Sequence, residues 1–107
     1  MNELFERQLK AIRERDLGAL LAQYHPEAVV VRLDLVAAGP DEIRDLFAAY
    51  LAREPEVVEL TALRTTGDTV FYSAVMALDG LPYTTFGTLV ARDGLIWRQT
   101  AGAVPAQ

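Results

Sequence analysis

The chain has 107 residues, 51% of them hydrophobic and 23% charged, with no cysteine and 15 acidic against 10 basic side chains for a net charge of −5. That is room for a single domain, residues 1–107, with a core of its own, and a composition far from that of disordered chains. The absence of cysteine excludes disulfides, thiolate nucleophiles and Cys-ligated metals, and one lysine among scattered arginines makes no basic stripe for a nucleic acid.

The first residues are charged and amphipathic, unlike a signal peptide, and no apolar run approaches the roughly 20 residues of a membrane span. The expectation is a cytoplasmic protein with no membrane and no nucleic-acid partner. Apolar residues at Leu4, Phe5, Leu9, Ala11 and Ile12 form one face of a helix over Glu3–Glu14. Asp16 can cap a second helix, whose face is Leu17, Leu20, Leu21 and Tyr24. His25-Pro26 stops it, because a residue before proline is pushed out of the helical region. The β-branched run from Ala28 to Val36 reads as one strand, or as two short strands about a turn near Leu33-Asp34.

Gly39-Pro40-Asp41-Glu42 starts a third helix, with proline in the first turn and carboxylates at the positive end of the helix dipole. Its face is Ile43, Leu46, Phe47, Tyr50 and Leu51, and Glu54-Pro55 closes it. Four strands follow, Val57–Thr65, Thr69–Leu78, Pro82–Ala91 and Leu95–Ala101, separated by glycine-bearing turns, with Gly102–Gln107 as a frayed tail. Helices first and an antiparallel meander afterwards define an α+β arrangement. Thr69–Leu78 and Pro82–Ala91 carry apolar residues on both parities, but only one face can meet the helices. The other calls for a cover, and the expectation is a homodimer through the sheet.

The Tyr-His-Pro-Glu-Ala-Val-Val-Val entry to the first strand, the Gly-Pro-Asp-Glu-Ile-Arg-Asp-Leu-Phe third helix and the closing Arg-Asp-Gly-Leu-Ile-Trp-Arg come in a telling order. Together they resemble the SnoaL-like branch of the nuclear-transport-factor-2-like superfamily, over residues 3 to about 101. The resemblance implies a cone, with three N-terminal helices packed on a curved, mainly antiparallel sheet around an apolar pocket, commonly dimerising through the sheet. It implies no single function, because the family spans isomerases, cyclases, epoxide hydrolases, dehydratases and non-catalytic binders. A ketosteroid-isomerase-like site would need a carboxylate at the end of the first strand and a tyrosine on the first helix; the matching positions hold Arg32 and Gln8. An epoxide-hydrolase-like site would need charges where Ala74 and Met76 stand, and an aspartate where Gln99 follows Trp97-Arg98.

Asp34 is the candidate catalytic base, an acid inside an apolar strand run. Alternation puts it with Arg32 on one face among Val30 and Val36, where burial and Arg32 pull its pKa in opposite directions. An ion pair at the sheet rim is the plainer reading of the two. The candidate ligand-binding residues are Arg32, Tyr50, Tyr72 and Trp97, the aromatic ones presenting an apolar body with a polar tip. The lone His25 suits a hydrogen bond at a corner, Glu59 an outward solvated position, and Asp41, Glu42 and Asp45 a helix start, so no metal and no cofactor is expected. The leading expectation is a cone protein that binds a hydrophobic small molecule. The alternatives are a cofactor-independent isomerase, cyclase or lyase using Asp34, and a non-catalytic protein-interaction module.

Overall fold

Asn2 begins the first helix by accepting a hydrogen bond from the Phe5 amide at 3.0 Å, and α1 runs over Glu3–Glu14. The computed structural model describes residues 2–106. Asp16 caps α2 (Leu17–Leu21) through the Ala19 amide at 3.0 Å. This helix stops short of the expected end, and Tyr24 opens β1 (Tyr24–Arg32). Sheet pairing wins over helical spacing there, because the Gln23 carbonyl accepts the Ile96 amide at 2.8 Å and Tyr24 pairs with Ile96. Pro26 is tolerated inside β1 because the register is irregular between Tyr24 and Val29, where a missing amide breaks no ladder.

The two-strand reading of the β-branched run holds. β1 and β2 (Val36–Ala38) form a hairpin closed by the Arg32 amide on the Leu35 carbonyl at 2.8 Å. The turn breaks the alternation expected from Val30 to Val36: Val36 pairs with Val31 and both are exposed, whereas Val30 is buried and pairs with Ala37. The third helix, α3 (Gly39–Leu51), follows with Pro40 in its first turn and the Glu42 carboxylate accepting the Ala38 amide at 2.9 Å. It buries Ile43, Leu46 and Phe47.

β3 (Glu56–Thr66), β4 (Thr69–Leu78), β5 (Leu81–Arg92) and β6 (Leu95–Pro105) are the antiparallel meander. The tail expected to fray instead extends β6, with Gly102, Ala103, Val104 and Pro105 laddered against Phe86, Thr85, Thr84 and Tyr83. Gln107 lies outside the described residues. The six strands run in the order β2-β1-β6-β5-β4-β3, and only β1 and β6 are parallel. β3 slips register at Val57/Glu59 and at Leu60/Ala62, and each extra residue bends and twists the strand, which curls the sheet around the helices. The inner face of β4 (Val70, Tyr72, Ala74, Met76, Leu78) is turned toward the helical layer, and Leu20, Val30, Ile43, Leu89 and Ile96 are fully buried in the core between them. Among the described residues no helix is long and apolar enough to cross a membrane.

Candidate functional site

Between the helical layer and the inner sheet face lies a cavity of about 440 Å³. Its walls are Phe5, Leu9 and Ile12 of α1, Leu46, Phe47 and Tyr50 of α3, and Ala74, Met76 and Leu89 of the sheet. The helical faces read from the sequence supply the first two walls, and strand parity supplies the third. Aromatic contacts brace it: Phe5 and Tyr72 have ring centroids 5.4 Å apart, and Phe47 stands 5.3 Å from Tyr24 and 6.3 Å from Tyr50.

One region of the wall is polar. The Gln8 amide donates to the Tyr24 hydroxyl at 2.8 Å, and that hydroxyl donates to the Gln99 side-chain oxygen in a short hydrogen bond. All three residues are buried, and Gln8 and Gln99 line the cavity together with Tyr72. Burial pushes the Tyr24 hydroxyl far above its ordinary pKa, a rise that the Gln8 hydrogen bond partly offsets and the nearby Tyr72 adds to. Tyr72 is also pushed up by burial, with Gln99 offsetting part of the rise. Gln8 Oε1 is left buried without a partner, at a cost of about 1–3 kcal/mol. This region therefore offers neutral amides and phenols that stay protonated through the neutral range.

A second polar group, at a distance from the first along the chain, is charged. Arg32 and Asp34 form a two-point pair, Nε to Oδ1 and Nη2 to Oδ2, both at 2.8 Å. Arg53, just beyond α3, donates through Nε to Asp79 at 3.1 Å and lies with its guanidinium carbon 5.4 Å from the Tyr83 ring centroid. Arg32, Asp34, Arg53, Tyr50 and Tyr83 all border the cavity. Burial raises the Tyr50 pKa, Tyr72 adds to the rise, and Arg53 and Arg32 work against it.

Of the residues singled out in the sequence, Arg32, Asp34, Tyr50 and Tyr72 come together around one cavity. The environment of Asp34 differs from that of a buried base. Its side chain is 65% exposed at the β1–β2 turn, and the Arg32 hydrogen bond lowers its pKa and outweighs the opposing effect of desolvation. A carboxylate so held is a weaker base than a free one. Trp97 is a correction. It does not line the cavity; its ring lies under two guanidiniums, with Arg98 at 3.9 Å and Arg92 at 5.0 Å from the centroid. The cause is a bulge: Val90 pairs with Arg98 and Ala91 with Ile96, so Trp97 is an extra residue that shifts parity and turns Gln99 inward. His25 makes the corner contact expected of it, Nδ1 accepting the Glu27 amide at 3.0 Å, and Glu59 is exposed. No group of three or more His, Asp or Glu side chains that could hold a metal gathers among the described residues.

The family model described as the SnoaL-like domain matches residues 5–99. The chain belongs to the SnoaL-like family. Solved structures extend the likeness. A protein from Sinorhizobium meliloti, provisionally assigned as a polyketide cyclase, superposes with a TM-score of 0.82 at 23% identity, covering 94% of each chain. A provisionally assigned ketosteroid isomerase from Kribbella flavida gives 0.84 at 16% identity, over 97% of this chain and 77% of its own. A nuclear-transport-factor-2-like protein of unknown function from Burkholderia xenovorans gives 0.85 at 16% identity, over 98% and 83%. At such identities these likenesses establish the fold alone. No curated protein sequence matches the chain.

Three residues of this SnoaL-like site escaped the sequence reading. Gln8 and Gln99 stood out there only as departures from catalytic patterns, yet they hold the buried polar region of the cavity. A signal existed for Gln8, a polar residue at helical spacing between the buried Leu4 and Ala11. Arg53 carried none, since a basic residue just past a helix end reads as dipole compensation.

Proposed function

We propose that this SnoaL-like chain binds a largely apolar small molecule inside its cone. One observation carries the reading: the cavity of about 440 Å³ between α1, α3 and the sheet, walled mainly by apolar side chains with a few hydrogen-bonding groups among them. Ligand sites share this design, the apolar surface supplying affinity and a few polar groups fixing orientation. The neutral Gln8, Gln99 and Tyr72 side chains suit a hydroxyl or carbonyl on the ligand. A reaction driven by Asp34 is not adopted, because the carboxylate is exposed and bound at both oxygens by Arg32.

The reading includes a homodimer. Along β4 the outer residues Phe71, Ser73, Val75 and Ala77 are exposed or half-buried, while the inner set apart from Tyr72 is buried. A second copy laid on that outer face would bury it.

Fluorescence of N-phenylnaphthylamine, a neutral apolar dye that brightens on leaving water, tests the binding reading. The protein should enhance the dye saturably, and Ala74→Trp, which fills the cavity from its wall, should abolish the enhancement while far-UV circular dichroism stays native. An undiminished signal in that variant places the dye elsewhere and defeats the reading.

A further inference from the structure

Arg32, Arg53 and Tyr50 reach the same cavity from three places in the chain: the end of β1, the segment after α3, and the last turn of α3. All three present donors. Arg32 spends Nε and Nη2 on Asp34, and Arg53 spends Nε on Asp79 and Nη2 on the Tyr83 hydroxyl at 3.4 Å. The Nη1 group of each guanidinium, and the Tyr50 hydroxyl, have no protein partner among the described residues. The acceptors at hand, Asp34, Asp79 and the Tyr83 hydroxyl, are engaged by the other donors of these arginines.

We propose that Arg32, Arg53 and the Tyr50 hydroxyl form a carboxylate subsite, receiving the anionic head of an amphipathic acid whose apolar body fills the cavity. The inference rests on the ligand-binding reading and narrows its ligand class. Two like charges facing one space repel, and the Arg53 guanidinium acts on Arg32 in this way. The aspartates that hold them, Asp34 and Asp79, are 65% and 56% exposed, so water screens much of what they contribute. An anion placed between the two guanidiniums removes the repulsion, and the planar fork of arginine matches a carboxylate. Below this cluster the wall is apolar (Leu46, Met76, Leu78), which suits a hydrocarbon or aromatic body and offers no second charge. The chain as a whole carries −5, so a preference for an acid cannot come from its overall field and must be local to these arginines.

The test uses displacement of N-phenylnaphthylamine by naphthylacetate and by naphthylacetamide, which share shape and differ in charge. The acid should displace the dye at a concentration lower by about tenfold, the scale of a charge-assisted hydrogen bond at a partly exposed site. Arg53→Gln and Arg32→Gln should each shrink that gap severalfold, leaving the amide's displacement as it was. Equal displacement by acid and amide in the wild-type protein overturns the subsite and leaves the ligand-binding reading standing. A dye that is not enhanced at all removes the ligand-binding reading, and the subsite falls with it.

Discussion

Tyr24 and Gln99, 75 positions apart in sequence, share a buried hydrogen bond in which the phenol donates to the amide oxygen, and Gln8 donates to the same phenol. The contact joins the first strand to the last and both to α1. Tyr24→Phe removes the hydroxyl and takes from the buried Gln8 amide and Gln99 oxygen the partner they share. The variant should lose about 2 kcal/mol of stability, the usual cost of orphaned buried polar groups. Urea unfolding followed by circular dichroism measures it. A loss below about 0.5 kcal/mol would mean that water reaches these groups and the network is not dry.

The same pair shows which parts of this fold are legible in sequence. The Asp16 cap, the α3 start and the turns at Asp79-Gly80 and Asp93-Gly94 are local devices: each residue acts on neighbours a few positions away, so spacing reveals it. Tyr24 carries the helical spacing of Leu17, Leu20 and Leu21, yet its partners are Gln8, Gln99 and the β6 backbone, and those long-range contacts draw it into a strand. Trp97 fails for a related reason. One extra residue on β6 reverses the faces of everything beyond it, and no alternation pattern announces which residue is extra. Arg32, Tyr50 and Tyr72 border the cavity as regular parity and helical spacing around them predict.

Asp34 provides a test in which pH has a definite sign. The Arg32 hydrogen bonds lower its carboxyl pKa from the ordinary 3.8. A depressed acid contributes stability that is present above its ordinary pKa and is lost as pH falls through the folded-state value. Carbon-13 chemical shifts of the Asp34 carboxyl should therefore give a midpoint below 3.8, and Arg32→Gln should move it back up. A midpoint above the ordinary value, as a base poised for proton abstraction would have, would restore the catalytic reading of this residue.

The dimer reading makes a claim about mass. Light scattering after size exclusion at micromolar concentration should give twice the 11.8 kDa of the chain. The outer face of the sheet includes Phe71 and Val104, which are 42% and 45% exposed, and glutamate at both positions should return the protein to monomer by placing charge where apolar surface would be buried. A wild-type monomer at that concentration defeats the reading.

Gly87 tests how the inner face is built around Tyr72. It pairs with Tyr72 on β4 and Ala101 on β6, and a Cβ there would overlap the Thr100 carbonyl oxygen and come within 2.7 Å of the Tyr72 hydroxyl. No positive φ is involved, so the requirement for glycine is close approach and not backbone conformation. Two obstacles of different kinds thus meet one methyl group: a side chain that can swing away and a backbone oxygen fixed by the sheet. Gly87→Ala should cost about 1–3 kcal/mol, the range for forcing volume into a packed interior. Adding Tyr72→Phe removes the hydroxyl but not the carbonyl, so the double variant should recover little of that loss. Thermal unfolding of the two single variants and the double variant completes a cycle. Recovery of most of the stability in the double variant would show that Tyr72 is the true obstacle and that β5 and β6 can part enough to admit the methyl.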